Sequence, residues 1–166
     1  VSPSDVDNSL ENMIWLMAHE MAHVIQFNIK PNFMPAWLSE GFATFMPIGR
    51  LSQEDIIYMR PQLIDHLNNV KKNLGHLPTK AGLSDYGFVA QNNIDYYLIG
   101  HAMNDWIVKL WGYGKLKQLI LSDGSNVSLL GFSNDQDFMD AFYNWVDDFW
   151  KKHLLVTKPE KGDQLN

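Results

Sequence analysis

One apolar segment, residues 15–27, constrains this chain most, because it has the length and composition of a helix and carries two histidines and a glutamate. His19 and His23 are four residues apart, so on a helix they project from the same face, close enough to bind one metal ion. Glu20 lies beside that face, where its carboxylate can take a proton from a metal-bound water. The segment therefore predicts a helix with two zinc ligands and a general base.

A zinc ion bound by two histidines needs a third protein ligand and an open position for water. Glu40 is the candidate, in a second short helix that Pro35 begins and Pro47 ends. Residues 24–39 are long enough for the chain to turn and run back beside the first helix. Gly41 and Ala43 are small and would let the second helix approach the histidine helix closely. We therefore expect Glu40 to share one zinc ion with the two histidines.

Two stretches of the chain carry a family resemblance. The HEMAH pattern at residues 19–23, followed by residues 35–45, resembles the gluzincin metallopeptidases, the thermolysin-like clan. WLSEGFA at residues 37–43 is most similar to the aminopeptidase branch and to bacterial peptidase MA-like domains. HVIQ at residues 23–26 also looks like the MA-like form of the motif. The spacing between the two stretches is shorter than in thermolysin or the aminopeptidases, so the connecting loop must be tighter.

The resemblance implies an activity and a set of site residues. By it, the chain is a Zn²⁺-dependent peptidase whose partner is a peptide or protein substrate. His19, His23 and Glu40 are the implied zinc ligands, and Glu20 is the implied general base. MA-like domains are often found in exported bacterial proteins, so the resemblance favours a secreted, periplasmic or cell-surface location.

Tyr97 begins a Tyr-Leu-Ile-Gly stretch at the start of a long apolar helix. This stretch looks like the Tyr-x-x-Gly element of aminopeptidase-type gluzincins, in which the tyrosine hydroxyl stabilises the oxyanion. The physical need is that negative charge grows on the substrate oxygen during attack, and a placed O–H donor lowers that barrier. Tyr96 takes this role if the register shifts by one residue. A tyrosine pair at this position also fits simple packing at the rim of the core, and both interpretations stay open.

Three further polar residues are candidates near the zinc. His101 lies four residues after Tyr97 on the same helical face, either assisting the oxyanion donor in the cleft or packing as a buried histidine. Thr44 stands where thermolysin has an aspartate that supports a zinc ligand, and its hydroxyl can orient a ligand histidine more weakly. Asp105 is interpreted as solvated, with a hydrogen bond to a ligand histidine as the alternative.

Composition excludes several classes of function. The 166 residues include 46% hydrophobic residues, with six tryptophans and nine phenylalanines, which fits one domain with an aromatic core. A net charge of −6 and the lack of a basic patch argue against nucleic acid as a partner. The chain has no cysteine, hence neither disulfides nor thiolate ligands, and no apolar segment of membrane-spanning length.

Helical patterns dominate the rest of the chain. We expect a first helix capped by Asp7 or Ser9 that runs to about Phe27, and a second around Glu40. A third should run from Ser52 to about Leu74 with a split or kink at Pro61, and others at residues 95–111, 115–121 and 134–153. Residues 75–93 are rich in glycine and are expected to form a long irregular stretch, either a wall of the substrate cleft or a plain surface loop.

The predicted fold class is mainly α, a zincin-like helical domain over residues 1–156, with residues 157–166 as a disordered tail. Thermolysin-like folds place a β-sheet before the first histidine, but too few residues precede His19 for that sheet. The chain is then the helical half of such a fold, with little or no sheet. The alternatives are a zinc-containing domain without catalysis, a fragment of a larger protease that lacks its substrate-binding sheet, and a helical domain with a fortuitous motif and no metal. The sequence identifies no substrate, and it does not distinguish an endopeptidase from an exopeptidase.

Overall fold

The computed structural model describes residues 3–31, 34–48 and 53–154. Within these ranges the chain forms helices and no strand, so the predicted mainly α class is confirmed. The elements are α1 (Pro3–Ile29), α2 (Ala36–Ile48), α3 (Gln53–Leu74), α4 (Lys80–Ser84), α5 (Tyr86–Gln91), α6 (Tyr96–Trp111), α7 (Tyr113–Leu121), a 3-10 helix (Val127–Leu130) and α8 (Asp135–Leu154). The tail predicted for residues 157–166 lies outside the described residues.

Several helix boundaries differ from those expected from the sequence. Helix α1 begins at Pro3 rather than after Asp7 or Ser9, since proline is well suited to the first turn of a helix. Helix α2 includes Pro47 and ends one residue later, and α3 is continuous through Pro61 instead of splitting there. A proline removes one backbone donor, and packing of the helix against its neighbours outweighs that loss.

The expected irregular stretch at residues 75–93 contains two short helices, so that expectation is wrong. The Thr79 side chain accepts a hydrogen bond from the backbone N–H of Gly82 and caps α4. Asp85 accepts from the N–H groups of Gly87 and Phe88 and caps α5. These caps stabilise short helices in a glycine-rich sequence because they satisfy the unpaired donors of the first turn.

The centre of the molecule is the crossing of α2 and α6. A Cβ placed on Gly41 would lie 2.4 Å from the carbonyl carbon of Gly100, so the two backbones are in direct contact. Gly41 therefore faces α6, and the expectation that it faces the histidine helix is wrong. The segment of α6 from Ile99 to Val108 is buried on all sides, and most of α2 is buried with it.

Trp106, on α6, lies at the centre of a cluster of aromatic rings in the core. Its ring lies 5.2–6.5 Å, centroid to centroid, from five other rings, those of Trp111, Phe132, Phe138, Phe142 and Trp145. The last three are contributed by α8, which covers this side of the core. Aromatic contacts between Trp106 and these three side chains thus join α6 to α8.

Helix α1 is only partly covered by the rest of the described chain. It packs against α2 with Ala22 and the polar residues His19 and Gln26, all of which are buried. Large apolar side chains remain exposed along its other faces: Met13, Ile14, Trp15, Leu16, Met17, Met21, Val24, Ile25 and Phe27. In the part of the chain that the structure describes, no helix combines the length and apolar character needed to span a bilayer.

Candidate metal centre

Three side chains predicted as zinc ligands meet where α1 packs against α2. The Oε2 atom of Glu40 lies 3.4 Å from Nε2 of His19 and 3.3 Å from Nε2 of His23. His19 is buried, while His23 and Glu40 are half-buried. The four-residue spacing on α1 places the two imidazoles together, and the α1–α2 contact brings the carboxylate to both.

These distances agree with the requirements of a zinc ion. Zinc binds nitrogen and oxygen ligands at about 2.0–2.1 Å in tetrahedral geometry, which places two ligand atoms about 3.3–3.4 Å apart. Both measured N···O separations have this value. His19, His23 and Glu40 are also the only group of three potential ligands found among the described residues, with one atom from each lying within 4.8 Å of the others. The residues present therefore fit a divalent metal ion.

Gln26 fixes the tautomer of His23. Gln26 is 1% exposed, and its Nε2 donates to the backbone carbonyl of Ser39 at 2.9 Å. A carbonyl only accepts, so the amide oxygen of Gln26 must point the other way, towards His23 Nδ1 at 2.8 Å. The hydrogen on His23 therefore resides on Nδ1, and Gln26 ties α1 to the residue before Glu40.

The tautomer leaves the Nε2 lone pair of neutral His23 facing the Glu40 carboxylate oxygen. Both atoms are then acceptors at a separation of 3.3 Å. Such a contact is stable only when a proton or a metal ion lies between the two atoms. The contact therefore has room for a proton or for a metal ion, and an imidazole whose other nitrogen is hydrogen-bonded is the usual form of a metal-ligating histidine.

Glu20, the predicted general base, lies at the edge of the same site. It is exposed to solvent and lines a cleft of about 330 Å³ together with His23 and Glu40. Phe27 and Met34 contribute apolar surface to this cleft. Glu20 therefore lies at the solvent-exposed edge of the cluster.

Tyr97, the predicted oxyanion donor, lies on the His19 side of the cluster. Its ring centroid is 6.0 Å from that of His19, and the residue is 41% exposed. The ring stacks on Tyr96 at 4.6 Å. A hydrogen bond with Tyr96, then burial and the nearby Glu40 carboxylate, raise the pKa of Tyr97 well above its usual range. Its hydroxyl therefore keeps its proton at neutral pH and remains a donor.

Tyr86, the first residue of α5, also contacts the cluster and was not predicted from the sequence. Its hydroxyl donates to Oε1 of Glu40 at 3.3 Å, and the residue lines the same cleft. Burial and the Glu40 carboxylate raise the pKa of Tyr86 to about 12, although a hydrogen bond with Ser39 acts in the opposite direction. Asp85 could have indicated this residue from the sequence. Aspartate often caps a helix, and here it directly precedes a tyrosine in a stretch that was considered as a wall of the cleft.

The remaining sequence candidates do not join the cluster in the expected way. The Thr44 hydroxyl is buried without a hydrogen-bond partner, as is Nδ1 of His19, so the predicted support of a ligand histidine by Thr44 is not observed. His101 is completely buried and its ring packs edge-on against Phe45, which corresponds to the packing alternative rather than to a cleft residue. Asp105 is buried and pairs with a lysine on its own helix, so the expectation of a solvated carboxylate is wrong.

Comparisons with protein-family models, with curated proteins and with solved structures gave no match for this chain. A mainly helical architecture is compatible with many activities and identifies none of them. What points to a function is the chemistry of the cluster formed by His19, His23 and Glu40 and of the residues around it.

Proposed function

We propose that this chain is a zinc-dependent peptidase of the gluzincin type, which hydrolyses peptide bonds with Glu20 as the general base. The single observation that carries the proposal is the position of Glu40 Oε2, within 3.4 Å of Nε2 of both His19 and His23. The resemblance of these residues to the gluzincin motifs supports the choice of peptide bonds as the substrate.

Zinc bound by these three residues would lower the pKa of a water molecule and polarise the substrate carbonyl. In the proposed mechanism, Glu20 takes a proton from the attacking water and delivers it to the leaving amine nitrogen. Tyr97 donates a hydrogen bond to the carbonyl oxygen as negative charge develops there. Gln26 holds His23 in the tautomer that presents Nε2 to the metal.

The experiment uses the zinc-loaded protein, a library of unmodified peptides and mass spectrometry of the products. The matched variant is Glu20→Gln, which keeps the size and the hydrogen-bonding capacity of the side chain but cannot accept a proton. We expect the wild type to cleave peptides and Glu20→Gln to cleave them roughly a hundredfold or more slowly. The zinc content of the two proteins should be the same. Cleavage by Glu20→Gln at the wild-type rate would refute Glu20 as the base.

A zinc-binding domain without hydrolytic activity is the second candidate. It is favoured by the absence of any strand from residues 3–31, 34–48 and 53–154, because thermolysin-like enzymes align the substrate along a strand. Stoichiometric zinc binding without cleavage of any library peptide would favour this second candidate over the peptidase.

A further inference from the structure

The two oxygens of the Glu40 carboxylate have different surroundings. Oε2 faces the two histidines, whereas Oε1 accepts a hydrogen bond from the Tyr86 hydroxyl at 3.3 Å. We propose that Tyr86 is a positioning residue for Glu40, which occupies Oε1 and leaves Oε2 alone to bind the metal. This inference rests on the metal site proposed above and adds a residue that the motifs do not contain.

The reason such a residue is needed lies in the carboxylate itself. The last torsion of a glutamate side chain has a broad, two-fold energy profile, so a free carboxylate can present either oxygen or both. Binding through both oxygens would fill the position that a catalytic zinc keeps open for water. A hydrogen bond to Oε1 opposes binding through both oxygens, because that hydrogen bond must break before Oε1 can turn towards the metal.

Tyr86 is itself firmly held, which a positioning role requires. It is the first residue of α5, whose start is fixed by the Asp85 side chain through hydrogen bonds to the N–H groups of Gly87 and Phe88. Its ring packs edge-on against Tyr96 at 5.6 Å between centroids. The capped helix and the packed ring therefore hold the Tyr86 hydroxyl in position beside Glu40.

Tyr86 and Tyr97 then have separable roles. Tyr86 contacts a metal ligand directly, so its loss should change how the protein binds the metal. Tyr97 hydrogen-bonds Tyr96 and lies beside His19, so its loss should affect turnover instead. This contrast allows the positioning role to be tested without measuring peptide cleavage.

The test is the affinity of Tyr86→Phe for Zn²⁺, measured by competition with a chromophoric chelator. We expect a loss of about 10- to 100-fold, the usual effect of removing a hydrogen bond to a metal ligand. The visible spectrum of the Co²⁺-loaded variant should also become weaker, because a carboxylate that binds through both oxygens raises the coordination number. Tyr96→Phe, which removes a hydroxyl from a neighbouring ring, is the matched control and should change neither measurement.

Wild-type zinc affinity and an unchanged Co²⁺ spectrum in Tyr86→Phe would overturn the positioning role. If Tyr86→Phe does not fold, the same measurements are made on two variants that carry 4-aminophenylalanine or 4-methylphenylalanine at position 86. The two have similar volumes but only the first donates a hydrogen bond, so only the first should keep the affinity, and equal affinities would overturn the role. Absence of Zn²⁺ binding by the wild type would refute the metal site itself, whereas binding without cleavage would refute only the peptidase.

Discussion

Gly41 and Gly100 face each other at the crossing of α2 and α6, where a Cβ on Gly100 would lie 2.8 Å from the Cα of Gly41. Gly41 follows Glu40, the proposed third zinc ligand, and Gly100 lies one helical turn after Tyr97. The contact between the two glycines therefore sets the distance between the helix that carries Glu40 and the helix that carries the proposed oxyanion donor.

Gly100→Ala should destabilise the protein, because the new methyl group would meet the carbonyl oxygen of Trp37 at 2.4 Å and force the helices apart. Overpacking of this kind costs about 1–3 kcal/mol. Urea denaturation measures the loss. Gly114→Ala, in α7, is the control: a Cβ there meets nothing within 4 Å, so this substitution should leave the free energy of unfolding unchanged or raise it. Equal stabilities of the two variants would contradict the close crossing.

Gln26→Met should lower the affinity for zinc while the helical content stays the same. Methionine keeps the volume of the side chain but leaves His23 Nδ1 without its acceptor and Ser39 without its donor. The expected loss of affinity is about 10- to 100-fold. Gln118→Met, at an exposed position of α7, is the matched control and should bind zinc like the wild type. A normal affinity in Gln26→Met would show that the tautomer of His23 does not depend on Gln26.

Tyr97→Phe should lower kcat far more than it raises KM, with unchanged zinc content. An oxyanion donor acts where charge develops, so its loss appears in the transition state rather than in substrate binding. The expected penalty is about 2.7–4 kcal/mol in activation free energy. Steady-state kinetics on a peptide cleaved by the wild type provide the measurement. If Tyr96→Phe shows the loss of kcat instead, the donor is Tyr96. If neither variant loses activity, neither Tyr96 nor Tyr97 is the oxyanion donor.

Tyr143 should make the protein sensitive to alkaline pH. Its hydroxyl donates to the carbonyl of Pro78 at 2.7 Å, and burial, then the Asp140 carboxylate, raise the pKa of Tyr143 above its ordinary value of 10.0. Above about pH 10 the unfolded chain loses the phenol proton while the native protein keeps it, so the free energy of unfolding falls as pH rises towards the native pKa.

Tyr143→Phe tests this effect by urea denaturation between pH 7 and pH 11. At pH 7 the variant should be less stable by about 1–3 kcal/mol, because the Pro78 carbonyl loses its donor. Its stability should then decline less steeply above pH 10 than that of the wild type. The same alkaline slope in both proteins would mean that Tyr143 ionises normally in the native state.

The parts of the site that the sequence predicted are those determined by local periodicity. A four-residue spacing on a helix is enough to bring His19 and His23 together, and the short second helix with Glu40 needed only a turn between them. The mainly α class follows from the same kind of pattern. These features required no knowledge of how the helices cross.

The parts that the sequence did not predict depend on tertiary packing. Gln26 and Tyr86 acquire their roles only because α2 and α5 come to lie against α1 and Glu40. Thr44 and His101 have suitable spacings, yet both side chains are buried and neither lines the cleft. A sequence pattern identifies the face of a helix, but not the neighbour that this face meets.

The zinc content of the purified protein after zinc loading and desalting, measured by elemental mass spectrometry, decides whether the cluster binds metal. We expect about one zinc ion per chain in the wild type and in His76→Ala, whose histidine is exposed and distant in sequence from the cluster. His19→Ala, His23→Ala and Glu40→Ala should each lose stoichiometric binding. Zinc content that stays at the wild-type level in the three cluster variants, or a wild type that retains no zinc, would refute the metal site.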